Sequence, residues 1–262
     1  MSACRDAARC MTCRCNMKQL GIALYYYEST QGKFPPAFIS DESGRPMHSW
    51  RVLLMPYIES NDFYDTYDFE KPWDSPENRK IFEKYTPMHI YHCPSDSSPR
   101  SWKSGATSYV AVLGEDTFWR PDGTPRKAEE ITKGVSNTPV LIEIDNSGIP
   151  WGEPRDVKLD DFLSGKLSWS ESCVHTHRFF LEVPVRGRNV AFADGSVRFM
   201  PDDLTPEQLR QFFSITEPFD VEKALHCDTP GQIEFRHKVF WVWLATLFIQ
   251  FVYIFFPTRR KA

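Results

Sequence analysis

The stretch MSACRDAARCMTCRCNMKQLGIALYYYESTQG, residues 1–32, decides the fold. It contains no proline, and the next breakers arrive together in Phe34-Pro35-Pro36. Within it Cys10, Cys13, Met17, Leu20, Leu24 and Tyr27 recur at alternating spacings of three and four. That spacing lines them along one face of a helix, while Lys18, Gln19 and Glu28 lie elsewhere on its surface. Gly32 stands where a helix C-cap favours glycine, with prolines just beyond. A helix this long and two-faced needs a surface to lie on. The rest of the chain is therefore expected to form a small, loop-rich body built against it.

Working outward, the strongest later signal is a hairpin. Asn189-Val190-Ala191-Phe192-Ala193 and Ser196-Val197-Arg198-Phe199-Met200 are β-rich runs flanking Asp194-Gly195, a strong short turn signature. Asp194 is read as a turn former rather than a catalytic acid. Val140 to Ile144 is a core strand, Thr107 to Leu113 a strand ending at Gly114, and Ile90 to Cys93 a third strand. Ser75 caps a short helix with Pro76 at its first position, and Thr205-Pro206-Glu207-Gln208 opens another. His48 and Trp50 are read as part of a packed aromatic cluster. The 20 prolines and 15% aromatic content agree with many turns and few long regular elements.

With 31 basic and 35 acidic residues the formal net charge is −4, which gives no electrostatic reason to expect nucleic acid as a partner. The seven cysteines include the cluster Cys10, Cys13 and Cys15. A zinc site would call for a second ligand pair at a recognisable spacing, and none follows. Cys10 and Cys13 also lie on the apolar stripe, so the cluster is read as buried or disulfide-bonded. The acidic segment Asp145 to Asp161 has the oxygen ligands calcium requires but not EF-hand spacing, and it is read as a solvated loop. His175 and His177 share a strand face without an identifiable third ligand. Trp102, Trp119 and Trp151 would be the aromatic platforms of a carbohydrate-binding surface, if exposed. No cofactor, no catalytic set and no small-molecule substrate is expected.

No apolar h-region follows Met1, whereas Val239 to Phe256 is uncharged and apolar all round. It is flanked by Arg236-His237-Lys238 and Arg259-Arg260-Lys261, with Trp241, Trp243 and Tyr253 near its ends. This predicts a transmembrane helix over 237–258. The basic tail 259–262 favours a cytoplasmic C-terminus and hence an extracytoplasmic body, whereas a body with no signal peptide ahead of it would be expected to stay inside, so the topology is left open. The expected organisation is helix 1–33, body 34–215, linker 216–236, membrane helix and tail.

An ordered set of short motifs then carries a resemblance. Arg5-Asp6-Ala7-Ala8-Arg9, Asn16-Met17-Lys18-Gln19-Leu20-Gly21, Gly32-Lys33-Phe34-Pro35-Pro36-Ala37 and His48-Ser49-Trp50-Arg51 come first. Pro72-Trp73-Asp74-Ser75-Pro76, Cys93-Pro94-Ser95-Asp96, Thr107-Ser108-Tyr109-Val110, Gly134-Val135-Ser136-Asn137-Thr138 and Gly148-Ile149-Pro150-Trp151 follow. The hairpin from Asn189 to Val197 completes the set. In this order they resemble the prepilin-like family of unknown function abundant in planctomycete bacteria, whose C-terminal part is a prepilin-type processing-associated domain. The resemblance implies an α+β, pilin or pseudopilin-like fold, a long N-terminal helix packed on a small antiparallel sheet with irregular loops. It also implies a disulfide between Cys13 and Cys93, a family turn at Asp194 and Gly195, and pilin-like subunits or surface components as partners. Relative to that pattern the sequence lacks the usual N-terminal hydrophobic segment, and Pro184 stands where the family has a histidine. The expected function is a non-enzymatic, membrane-anchored structural role at the surface or in secretion. A membrane-anchored metal-dependent hydrolase using His175, His177 and Asp194, or a carbohydrate-binding surface module, is the alternative.

Overall fold

The computed structural model describes residues 2–58, 61–86, 88–96, 105–164 and 187–225. Helix α1 runs over Ser2–Gln31 and ends where the Gly32 N–H bonds Glu28 O with Gly32 at φ 69°. Cys13, Met17, Leu20, Ala23 and Leu24 are fully buried along one side of it. Cys10 and Tyr27, the ends of the expected stripe, are half-buried. Burying each large apolar side chain contributes roughly 1.5–3 kcal/mol, so this stripe fixes the helix to what lies beneath.

What lies beneath is a four-stranded antiparallel sheet. Its strands are β3 (Tyr109–Val110), β5 (Pro139–Glu143), β7 (Gly187–Phe192) and β8 (Val197–Pro201), in the order β3-β5-β7-β8. Leu141 pairs with Ala191 and Ile142 with Val190, and alternation then sends each pair to opposite faces. Leu141 and Ala191 join the cluster that includes Met17 and Leu20. Ile142, Val190 and Phe192 join a second cluster with Phe162, Phe212 and Phe213. Phe162 comes from α5 (Leu159–Leu163), and the other two come from α6 (Pro206–Phe213), which Thr205 opens with a capping box to Gln208. The sheet is thus covered on both faces.

The segment between α1 and β3 is irregular and aromatic. It holds the antiparallel pair β1 (Phe38–Ser40) and β2 (Pro46–Ser49) and three helices, α2 (Trp50–Leu53), α3 (Asn61–Thr66) and α4 (Pro76–Tyr85). Ser75 caps α4 by accepting from Asn78 N, with Pro76 at the first position. His48 packs edge-on against Tyr67 and Phe69, and Trp50 packs edge-on against Tyr91 and at a shallow tilt against Trp119. One parallel pair departs from the antiparallel pattern, β4 (Val112–Leu113) beside β6 (Val157–Lys158).

Three expectations need correction. Ile90 to Cys93 is not a strand but a 3-10 turn over His89–Tyr91 running into extended chain. Its carbonyls are taken one at a time, His89 O and His92 O by the Asn16 amide and Tyr91 O by Ser108 N, so no ladder can form. The run Thr107 to Leu113 splits at Ala111, whose N–H donates to Asp156 Oδ1 rather than to a neighbouring strand. The chain after 215 is not all linker. The short helix α7 (Val221–Ala224) and the residue after it bury Val221 and Leu225 in the second cluster. The expected membrane helix 237–258 and tail 259–262 lie outside the described residues. Among the described residues no helix is long and apolar enough to cross a membrane.

Candidate functional site

The densest gathering of reactive groups lies under α1, beside the last residue of β5. Cys13 on the buried face of α1 is bonded to Cys93, with Cα atoms 5.3 Å apart across 80 positions of sequence. The chain after the 3-10 turn is held for this by its backbone. Cys93 N donates to Ser108 Oγ at 3.0 Å, and Ser95 N donates to Cys93 Sγ at 3.3 Å. Asp96 Oδ2 accepts from Ser108 Oγ and from Asn146 N. On β5, Glu143 falls two residues after Leu141 and so faces α1. Its carboxylate is fully buried and lies within 4.8 Å of both sulfurs. Glu143 Oε2 accepts from Asn189 N at 3.2 Å and Asn189 Nδ2 at 2.8 Å. A cleft beside the disulfide is lined by Thr12, Asn16, His89, His92, Pro94 and Asp96. Burial, and then the neighbouring His89, holds the His92 imidazole below its ordinary value, and Asp145 opposes them.

Among the described residues Cys13, Cys93 and Glu143 are the three whose ligand atoms converge as a metal would require. Zinc binds thiolates, and here the two sulfurs are bonded to each other, which leaves a single carboxylate to offer. The trio is a covalent tie beside a buried acid rather than an assembled metal centre.

A second polar constellation pins the aromatic segment to the sheet. Arg51 on α2 meets Asp156 in a two-armed ion pair, Nη2 to Oδ1 at 2.6 Å and Nη1 to Oδ2 at 3.3 Å. Their side chains are 0% and 2% exposed. Asp156 also accepts from Trp50 Nε1 and Ala111 N, while Arg51 donates onward to Tyr109 O and lies over the Trp50 ring. Burial pushes the Asp156 carboxyl up, and the guanidinium, the Ala111 N–H and the indole pull it back. Every one of these partners is structural, and none opens onto solvent.

The residues singled out in the sequence are scattered. Asp194 and Gly195 form the β7–β8 turn, with Asp194 Oδ1 accepting from Ser196 N and Gly195 at φ 79°. This turn sits against α1 so closely that a Cβ on Gly21 would lie 2.9 Å from Gly195 Cα. Cys10 and Cys15 are free thiols, one half-buried and one exposed. The acidic segment does not gather. Asp156 goes to Arg51, Glu153 to Arg155 and Asp160 to Arg210, so no oxygen cage for calcium forms. Trp119 and Trp151 are each 2% exposed, donating to Val140 O and Thr86 Oγ1, and cannot present a stacking face to sugars. Trp102, His175, His177 and Pro184 lie outside the described residues. Sequence reasoning missed Glu143 and the Arg51–Asp156 pair. Glu143 closes an apolar strand and Asp156 sits in a polar loop, and nothing local marks either as buried.

The fold and this cluster define an α+β class of protein in which a long helix lies on an antiparallel sheet and is bonded to it through Cys13 and Cys93. The chain belongs to the family described as a protein of unknown function (DUF1559), which it matches over residues 2–165. That span takes in α1, the aromatic segment, both bonded cysteines and Glu143, and it stops short of the Asp194–Gly195 turn. No curated protein and no solved structure matches the chain.

Proposed function

We propose that the protein is a non-enzymatic, pilin-like structural component of the bacterial surface or of a secretion assembly, of the prepilin-like kind found in planctomycetes, anchored in the membrane by residues 237–258. The observation that carries this reading is the 30-residue α1 laid on a four-stranded antiparallel sheet with the rest of the chain in irregular loops. The outward side of α1 supports contacts with further subunits, because Met11, Ile22, Tyr25 and Tyr26 are exposed there. The anchor is supported by the uncharged apolar run 239–256 and its basic flanks. An extracytoplasmic body is supported by the basic C-terminal tail and by the disulfide, since such bonds persist in oxidising compartments.

Fractionation of cells expressing the full chain tests the reading. The protein should pellet with membranes and resist carbonate extraction, and protease added outside spheroplasts should digest its body. Leu247→Arg with Phe251→Arg should release it, since each mid-span arginine costs about 2.5–3.5 kcal/mol of insertion. A soluble full chain, or a body protected from outside protease, overturns the anchor and its orientation. Stoichiometric zinc in the purified protein would favour the hydrolase reading instead.

A further inference from the structure

We propose that Cys10, Cys13 and Cys93 form a thiol–disulfide exchange site, in which Cys10 is the entry thiol through which low-molecular-weight thiols reach the buried bond. Three observations on different elements carry it. Cys10 and Cys13 are three residues apart on α1, so their Cα atoms fall in the range a disulfide spans. Their Cβ atoms, neighbours at roughly 5–6 Å, must close by about 1–2 Å as the bond forms, which asks the first turns of α1 to loosen locally. Burial is graded along this line, with Cys93 and Cys13 at 0% exposure and the free Cys10 half-buried at the surface. The Ser95 N–H donates to Cys93 Sγ, which stabilises negative charge on that sulfur and so marks Cys93 as the leaving group.

In the exchange the Cys10 thiolate attacks Cys13 Sγ. The Cys10–Cys13 bond forms, the Cys13–Cys93 bond breaks and Cys93 departs as a thiolate. The proton lost by the half-buried Cys10 goes to solvent, and the Cys93 thiolate that departs is held by the Ser95 N–H. The isomerisation consumes no oxidant or reductant. It moves the covalent tie from between α1 and the chain at Cys93 to within α1. An external thiol then reduces the half-buried Cys10–Cys13 bond in place of the inaccessible original.

The test uses the folded full chain and reduced glutathione as the probe. Reduction is followed by acid quenching, alkylation and mass mapping. Cys10→Ser should slow loss of the Cys13–Cys93 bond at least tenfold, while Cys15→Ser leaves the rate unchanged. Wild-type protein incubated at mildly alkaline pH should yield a trapped Cys10–Cys13 linkage with Cys93 alkylated. Equal reduction rates for wild type and Cys10→Ser, or mapping that finds only Cys13–Cys93 with Cys10 free at every time point, overturns the proposal.

Discussion

Asparagine at position 156 is the sharpest probe of how this body is held together. Asp156→Asn keeps the shape, but its single amide oxygen can accept from Ala111 N or from Trp50 Nε1 and not from both, and it removes the charge opposite Arg51. The guanidinium is 0% exposed and would be left without a counter-ion beside Tyr109 O and Ser49 Oγ. Breaking a buried pair from one side costs about 3–5 kcal/mol. Whole domains have about 5–15 kcal/mol to lose, so this is a large share. For a domain of this size it lowers the melting temperature by roughly 6–20 °C at about 2–4 °C per kcal/mol. Arg51→Met should cost a similar amount, because Asp156 then keeps only the indole and one backbone N–H. The double variant Arg51→Met/Asp156→Asn should be less destabilised than the sum of the two, with a coupling of about 0.5–3 kcal/mol. Urea unfolding followed by tryptophan fluorescence reads all four proteins, and Trp50 itself sits in the network. If each single variant lost under 1 kcal/mol and the losses simply added, the pair would not be the fastener described here.

Three further outcomes follow from the same packing. The Cys13–Cys93 bond closes a loop of separation 80, and removing its constraint on the unfolded chain in a Cys13→Ala/Cys93→Ala variant should cost about 4.5 kcal/mol in denaturant titration; a loss below 1 kcal/mol would contradict this. Gly21→Ala should destabilise by about 1–3 kcal/mol, despite alanine's better helix propensity, because its Cβ meets Gly195 Cα; a stabilised variant would show that the turn does not press on α1. Burial holds the His48 imidazole below its usual value, with Nε2 donating to Phe69 O and Nδ1 accepting from the Tyr67 hydroxyl. A depressed folded value means the stabilisation is present above the unfolded value near 6.5 and is lost as pH falls through the folded value. His48→Asn should therefore flatten the acid limb of a stability–pH profile, and an unchanged limb would assign it to other groups.

How much of this was legible in the sequence depends on whether the signal was local. The bounds of α1, the Asp194–Gly195 hairpin, the Ser75 cap and the Thr205 capping box all rest on periodicity or turn chemistry within a few residues. Ile90 to Cys93 failed because β-propensity counts for little where Asn16, 70-odd positions away, competes for the carbonyls. The tryptophans failed for the same reason, because Trp119 and Trp151 bury against rings from segments that composition cannot bring together. Of the candidate site, the cysteines were visible as residues, and the pairing of Cys13 with Cys93 was an implication of resemblance alone. Glu143 beside them was not visible, since one acid ending an apolar strand looks like a strand end facing solvent.

Buried polar side chains in this body bond mostly to backbone, and that bears on what the body is for. Asn78 donates to the carbonyls of Asp68, Lys71 and Pro72 and accepts from Asp68 N, fixing the turn before α4. Arg126 donates to Thr117 O and Glu115 O, and Arg188 to Glu143 O. Irregular chain leaves carbonyls and amides that neither helix nor ladder satisfies, and a buried group left so costs about 1–3 kcal/mol. Long polar side chains meet that demand, so loops rich in proline become rigid without regular pairing. A catalytic side chain needs the opposite arrangement, its polar atoms aimed at an open volume where a substrate can displace water. Arg51, Asp156, Asn78 and Arg126 are instead spent on the chain itself, so these four fasten irregular segments and none of them is aimed at an open volume.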